Sequence, residues 1–173
     1  MKFSWKKISM ALIALAISSQ AMALILIEPY GGYDFSLSGE NGSQKFDFSG
    51  VGYGGRLGLQ LTSLMFGVSY DMMNLDFEPD GGGKYSVDQT NLGVFFGWSP
   101  KLDGFRIWGE YFIDVKNKPE TGSTDSGDGY GLGLGWKFKP WLALNAEYRT
   151  WKMDEGSKGD SIFVSLSLPF DIL

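Results

Sequence analysis

The stretch FRIWGEYFIDV, residues 105 to 115, sorts its side chains by odd and even position. Phe105, Ile107, Tyr111, Ile113 and Val115 fall on one side of an extended chain, and Arg106, Glu110 and Asp114 on the other. An α-helix, which advances about 100° per residue, would mix these sets; a β-strand, with successive side chains on opposite faces, keeps them apart. The segment GYGLGLGWKFK (129 to 139) repeats the arrangement, with Tyr130, Leu132, Leu134, Trp136 and Phe138 opposite Gly129, Gly131, Gly133, Gly135 and Lys137. In 161 to 172, Ile162, Val164, Leu166, Leu168, Phe170 and Ile172 share one face, and Ser165 and Ser167 lie on the other.

Working outward, alternating segments recur over 24 to 37, 51 to 61, 64 to 77, 87 to 98, 105 to 116, 129 to 139, 141 to 153 and 161 to 172. Each is roughly 9 to 14 residues long, the length a tilted strand needs to cross a hydrocarbon core. The joins alternate in kind. Polar, glycine-rich ones are expected at 38 to 50, 78 to 86, 117 to 128 and 154 to 160, and short ones at Thr62-Ser63, at 99 to 104 and at Pro140. Long loops at one end and tight turns at the other are how transmembrane barrels are built. The expected fold is all-β, an eight-stranded antiparallel up-and-down transmembrane β-barrel. Its first and last strands must pair, because lipid gives an open sheet edge no hydrogen-bond partner.

Ahead of the first strand, Lys2, Lys6 and Lys7 precede an apolar run from Ile8 to Ile17, and Ala21-Met22-Ala23 follows. Charge, then a short apolar run, then small residues is the order of a cleavable signal peptide, read over 1 to 23, with one barrel domain over 24 to 173. The run is too short for a bilayer-crossing helix, which takes roughly 20 residues. Without those three lysines the 15 basic residues fall to 12 against 20 acidic ones, a charge of −8, so nucleic acid is not an expected partner. The absence of Cys settles little, since a closed hydrogen-bonded sheet does not need disulfides.

Alternation alone does not say which face meets lipid, because a soluble lipocalin-like barrel alternates with its apolar face inward. Here the face opposite the apolar one is mostly Gly, Ser and Asn with a few charges, which suits a narrow interior. Aromatics gather toward strand ends as two interfacial girdles: Trp98, Phe105, Trp136, Phe138, Trp141 and Phe170 on the turn side, and Tyr33, Phe35, Tyr53, Tyr70 and Tyr130 nearer the loops. Trp108 and Trp151 have the inward parity.

With the oily face outward, Glu28, Asp34, Arg56, Asp71, Arg106, Glu110, Lys137, Glu147 and Arg149 point into the barrel. Counting from the turns puts Arg56, Glu110, Glu147 and Arg149 near mid-depth, with Gly131 and Gly133 leaving room for them. An interior ion-pair network of these four is expected, structural or gating in role. An Arg facing lipid at the midplane costs roughly 2–4 kcal/mol, so these charges also help to set the register.

Two stretches carry a family likeness: GLGLGWKFKPWLALNAEYRTW (131 to 151), a Gly-rich strand, tight turn and Glu-Tyr strand, and SIFVSLSLPFDIL (161 to 173). In these the chain resembles the small outer-membrane β-barrels typified by the transmembrane domain of outer-membrane protein A. The likeness spans the barrel in pattern and its last third in sequence. It implies residence in the cell outer membrane, among outer-membrane lipid and lipopolysaccharide. Such barrels often end on an aromatic residue, whereas Leu173 is last here, and Phe170 or Ile172 would have to serve. The anchoring role implied by a peptidoglycan-binding domain is not expected.

The sequence contains no His, on which outer-membrane barrel enzymes generally rely as a general base, so no catalytic residue is assigned and a non-enzyme is expected. No cofactor and no metal site are expected. The loop STDSGDG (123 to 129) could bind Ca²⁺ weakly but reads as a solvated acidic loop. The expected function is a structural or surface-interaction role, adhesion-like, through four extracellular loops of a monomer that meet extracellular or host-surface ligands. The alternatives are a narrow channel or conduit for small or hydrophobic molecules, and a soluble lipocalin-like binding barrel.

Overall fold

The computed structural model describes residues 24–100, 102–119 and 123–172; the expected signal peptide over 1 to 23 and the terminal Leu173 lie outside them. The strands are β1 (Leu24–Asn41), β2 (Gln44–Leu61), β3 (Leu64–Pro79), β4 (Tyr85–Trp98), β5 (Gly104–Pro119), β6 (Asp125–Lys139), β7 (Leu142–Met153), β8 (Ser157–Ser167) and β9 (Phe170–Ile172). Each strand from β1 to β7 pairs antiparallel with the next, and β1 also pairs with β8 and β9, so the sheet closes on itself. β8 and β9 form one stave. Tyr30 faces Ser167 and Ile27 faces Phe170 in a common register, and between them the Leu168 N–H donates to the Pro29 carbonyl at 2.9 Å. The strand expected over 161 to 172 is thus interrupted at Leu168 and Pro169, where proline has no N–H for the ladder. The result is an eight-staved up-and-down barrel.

Side-chain orientation is the reverse of a lipocalin-like barrel. Tyr53, Trp98, Tyr130, Trp136 and Trp141 are exposed on the outside, whereas Glu28, Arg56, Arg106 and Glu147 are buried inside. The outward surface of the turn-side half is therefore oily and the lumen is charged, the arrangement a bilayer demands.

At the other end the long loops expected from sequence are largely strand. Only Gly42 and Ser43 separate β1 from β2, with Gly42 at φ 63°, a left-handed turn position that glycine occupies without strain. Residues 80 to 84 join β3 to β4 and residues 154 to 156 join β7 to β8, while β5 continues to Pro119 and β6 begins at Asp125. β1 and β2 each run 18 residues, beyond the roughly 10 that span hydrocarbon. The extra length inverts the pattern. Phe46, Phe48, Leu75, Phe77, Val87 and Trp151 are buried inside it, and Asp47, Asp76, Asp88 and Lys116 face out. Above the bilayer water satisfies the outside, so this collar is built like a soluble barrel, apolar within. Its dense Asp and Ser gave it the look of a loop.

A bulge in β5 makes a second correction. Leu92 of β4 faces Asp114, but its neighbour Gly93 faces Phe112, which leaves Ile113 as the extra residue. An added residue reverses parity beyond it. Val115, expected on the lipid face, is fully buried in the lumen, and Asp114, expected opposite, comes to the outside and pairs with Lys116 at 2.6 Å.

Glycine makes the narrow lumen possible. A Cβ built on Gly133 would sit 2.0 Å from Cε2 of the buried Trp108 ring, whereas one on Gly31, on the lipid face, would meet nothing closer than the Gly52 carbonyl at 3.7 Å. Gly133→Ala is therefore expected to destabilise the barrel by about 1–3 kcal/mol and Gly31→Ala by less than about 0.5 kcal/mol. Urea unfolding in lipid vesicles, followed by heat-modifiable gel migration, measures both.

Candidate functional site

The lumen is the part of the molecule where chemistry-bearing side chains converge. Strand parity sends Glu28 inward from β1, Arg56 from β2, Asp71 from β3, Arg106 and Glu110 from β5, and Glu147 and Arg149 from β7, all of them buried. The strands carry these groups at staggered heights, so they stack along the axis.

On the turn side, Arg106 grips Glu28 with two parallel hydrogen bonds of 2.8 Å, the bidentate geometry that a planar guanidinium offers a carboxylate. Lys137 donates to the Pro100 carbonyl at 3.0 Å, and Gln60 to the Ser99 carbonyl at 3.1 Å, closing the floor. At mid-depth Glu147 is the hub. It accepts Arg56 at 2.7 Å, Arg149 at 2.5 Å and the Trp108 indole N–H at 2.8 Å. Arg56 reaches Glu110 at 3.5 Å and Glu28 at 3.7 Å, and its guanidinium lies over the rings of Tyr30 and Trp108, 4.7 and 4.6 Å from their centroids. The Ser69 hydroxyl donates to Glu110. One level higher, Asp71 accepts from Arg149 at 3.2 Å, Tyr30 at 3.0 Å and Asn91 at 2.6 Å.

The four residues singled out from sequence, Arg56, Glu110, Glu147 and Arg149, are all brought together around Glu147 and Arg56. What the parity reading did not supply is how many partners join them. Arg106 and Glu28 couple to the group through Arg56, Asp71 through Arg149, and Trp108, of inward parity, donates a hydrogen bond. The room expected at Gly131 and Gly133 is shared. A Cβ on Gly131 would lie 3.4 Å from Glu147 Oε1, but the space over Gly133 belongs to the Trp108 ring.

Beyond this ionic cluster the lumen is largely aromatic. Arg149 lies over Phe163, 4.3 Å from the centroid, and beyond it Phe48, Phe77, Phe46 and Trp151 interlock at centroid distances of 5.2 to 6.2 Å. Polar floor, ionic middle and aromatic lid follow one another along the axis. Asp34 is also buried in the lumen, outside the four-residue cluster. Among the described residues no three acidic side chains converge where they could hold a metal ion.

No protein-family model matches the sequence, and no curated protein does. Solved structures do match in shape. The attachment invasion locus protein Ail of Yersinia pestis, crystallised with the heparin analogue sucrose octasulfate, superimposes with a TM-score of 0.60 at 14% identity, over 84% of this chain and 99% of that one. The outer membrane protein OprG of Pseudomonas aeruginosa gives 0.54 at 10% identity, over 84% and 96%. Neisserial surface protein A gives 0.54 at 11% identity, over 84% and 97%. The fold is that of the small outer-membrane β-barrels. At such identities the likeness speaks for the fold alone.

Removing one partner of a buried ion pair strands the other, which costs far more than an exposed pair is worth. Arg56→Ala would leave Glu147 and Glu110 facing each other without their shared cation. The expected loss is about 3–5 kcal/mol of unfolding free energy in vesicles. An Arg56→Ala, Glu147→Gln double variant is expected to lose less than the sum of the two single ones, as coupled neighbours do; additive losses would show that the contact is idle.

Proposed function

We propose that this chain is a non-enzymatic integral protein of the outer membrane, exported by a signal peptide over 1 to 23, closed to solute flow, and acting through the surface it presents outside the cell. The observation that carries this reading is the stacked lumen. Arg106–Glu28, Arg56–Glu147–Arg149, Asp71 and the Phe48, Phe77, Phe46 and Trp151 rings occupy successive levels. A conduit would need a continuous path past all of them, and eight strands enclose a bore that side chains just fill.

What remains for recognition is the collar and its hairpins. The collar is a ladder of hydrogen-bonded acids: Asp160 takes the Ser38 hydroxyl at 2.9 Å and Tyr148 at 2.8 Å, Asp88 takes Asn74 at 2.9 Å, and Asp76 takes Ser86 at 2.8 Å. Such cross-strand pairing makes it rigid, and short joins such as Gly42-Ser43 add little mobile loop. A stiff, acidic rim suits polar or cationic partners and repels polyanions. In this it would differ from the Yersinia protein crystallised with a heparin analogue.

Two measurements test the reading. Refolded protein in planar bilayers is expected to pass no unitary current, and the Glu110→Ala, Glu147→Ala variant none either, because the aromatic lid stays in place; steady conductance of the unaltered barrel would restore the conduit. On immobilised heparin at physiological salt the protein is expected to run through unretained, and salt-reversible retention would sink the acidic-rim argument.

A further inference from the structure

Two grooves on the outer surface of the barrel run into one another. The lower, about 570 Å³, lies where Gly55 leaves a gap in the outward row of β2 between Tyr53 and Leu57; Val68, Met72 and Leu92 wall it from β3 and β4. The upper, about 460 Å³, begins at the same Tyr53 and Met72 and ends among Thr90, Lys116, Lys118 and Thr124.

The gap at Gly55 is not required by the fold. A Cβ on the neighbouring Gly54 would collide with the Tyr70 carbonyl at 2.4 Å, and one on Gly58 with the Phe66 carbonyl at 2.2 Å, so close packing demands glycine at those positions. A Cβ on Gly55 would meet nothing nearer than the Glu28 carbonyl at 3.7 Å. The barrel tolerates a side chain there, and its absence opens a slot in the lipid-facing surface. In a membrane such a slot is occupied by an acyl chain.

The upper end of the slot has a different chemistry. The outward collar is largely acidic, with Asp47, Asp76, Asp128 and Asp160, but Lys116 and Lys118 come one after the other on the outer face of β5. Lys116 pairs with Asp114 at 2.6 Å. Lys118 faces Asp88 across the ladder, yet Asp88 takes its hydrogen bond from Asn74, and Lys118 makes no ion pair among the described residues. Two ammonium groups with the Thr90 and Thr124 hydroxyls beside them are donors for a phosphate, placed directly above an acyl slot.

We propose that this composite groove holds one lipopolysaccharide molecule, an acyl chain in the Gly55 slot and a lipid phosphate on Lys116 and Lys118. The proposal rests on the outer-membrane reading with the hairpin end outside, since that end then meets the lipopolysaccharide leaflet. The test uses the barrel released from outer membranes in mild detergent, with bound lipid counted by native mass spectrometry, and the refolded barrel titrated with purified lipopolysaccharide and with phosphatidylglycerol. The unaltered barrel is expected to retain one lipopolysaccharide and to prefer it to phosphatidylglycerol. Gly55→Leu, which fills the slot, and Lys116→Glu, Lys118→Glu, which reverses the donors, are each expected to weaken binding by at least about tenfold while heat-modifiable migration is kept. Equal affinity for phosphatidylglycerol, or unchanged binding in both variants, overturns the site. A membrane-impermeant maleimide on intact cells bearing Lys118→Cys separates the two readings, because the sequence has no other Cys. No labelling puts the groove in the wrong leaflet and overturns both; labelling with unchanged lipid binding overturns the lipid site alone.

Discussion

Hydrocarbon accepts no hydrogen bonds, so a sheet that enters it has to satisfy every backbone group within itself. Here that demand is met by the seam at which β1 pairs with β2 on one side and with β8 and β9 on the other. Closure at eight staves fixes a small bore, and the small bore fixes what the lumen can hold. A ring such as Trp108 needs a glycine beneath it, which Gly133 supplies, and a guanidinium such as Arg56 needs a carboxylate or ring on every side. The interior ion pairs are thus a consequence of closure as much as a cause of stability. Burying them costs solvation, which their mutual contacts offset in part, since atoms such as Arg56 Nε and Glu110 Oε2 keep no hydrogen-bond partner.

The same strands solve two solvent problems in succession. Through the bilayer they are oily outside and charged within; beyond it they are acidic outside and aromatic within. The changeover lies near Tyr30, whose hydroxyl holds Asp71 from below while Phe163 packs against its ring at 6.1 Å. The bulge at Ile113 serves the changeover, since it turns Val115 into the aromatic layer and releases Asp114 to water. In this arrangement the aromatic layer lies across the lumen of the water-exposed half.

Much of this was legible in the chain. Period-2 alternation in 129 to 139 and 161 to 172, the girdle aromatics and the inward parity of Glu28, Arg56, Glu110, Glu147 and Arg149 each follow from one local rule, that successive residues of a strand face opposite ways. The collar was not legible. Phe46-Asp47-Phe48-Ser49 alternates as strictly as any other strand, but its polar members are those that also make loops, and no local pattern says on which side of a water boundary a segment lies.

The amino-acid order by itself determined the strand character, the sorting of oily from small and charged side chains, and the preference of the charged face for the interior, because these depend only on neighbours along the chain. The tertiary structure alone decided which charges meet. Arg56 and Glu147 are 91 positions apart and touch only because closure and stagger bring β2 and β7 to the same height across the bore. It alone decided the parity change at Ile113 and the slot at Gly55, since each depends on the register of a neighbouring strand that no single stretch of sequence contains.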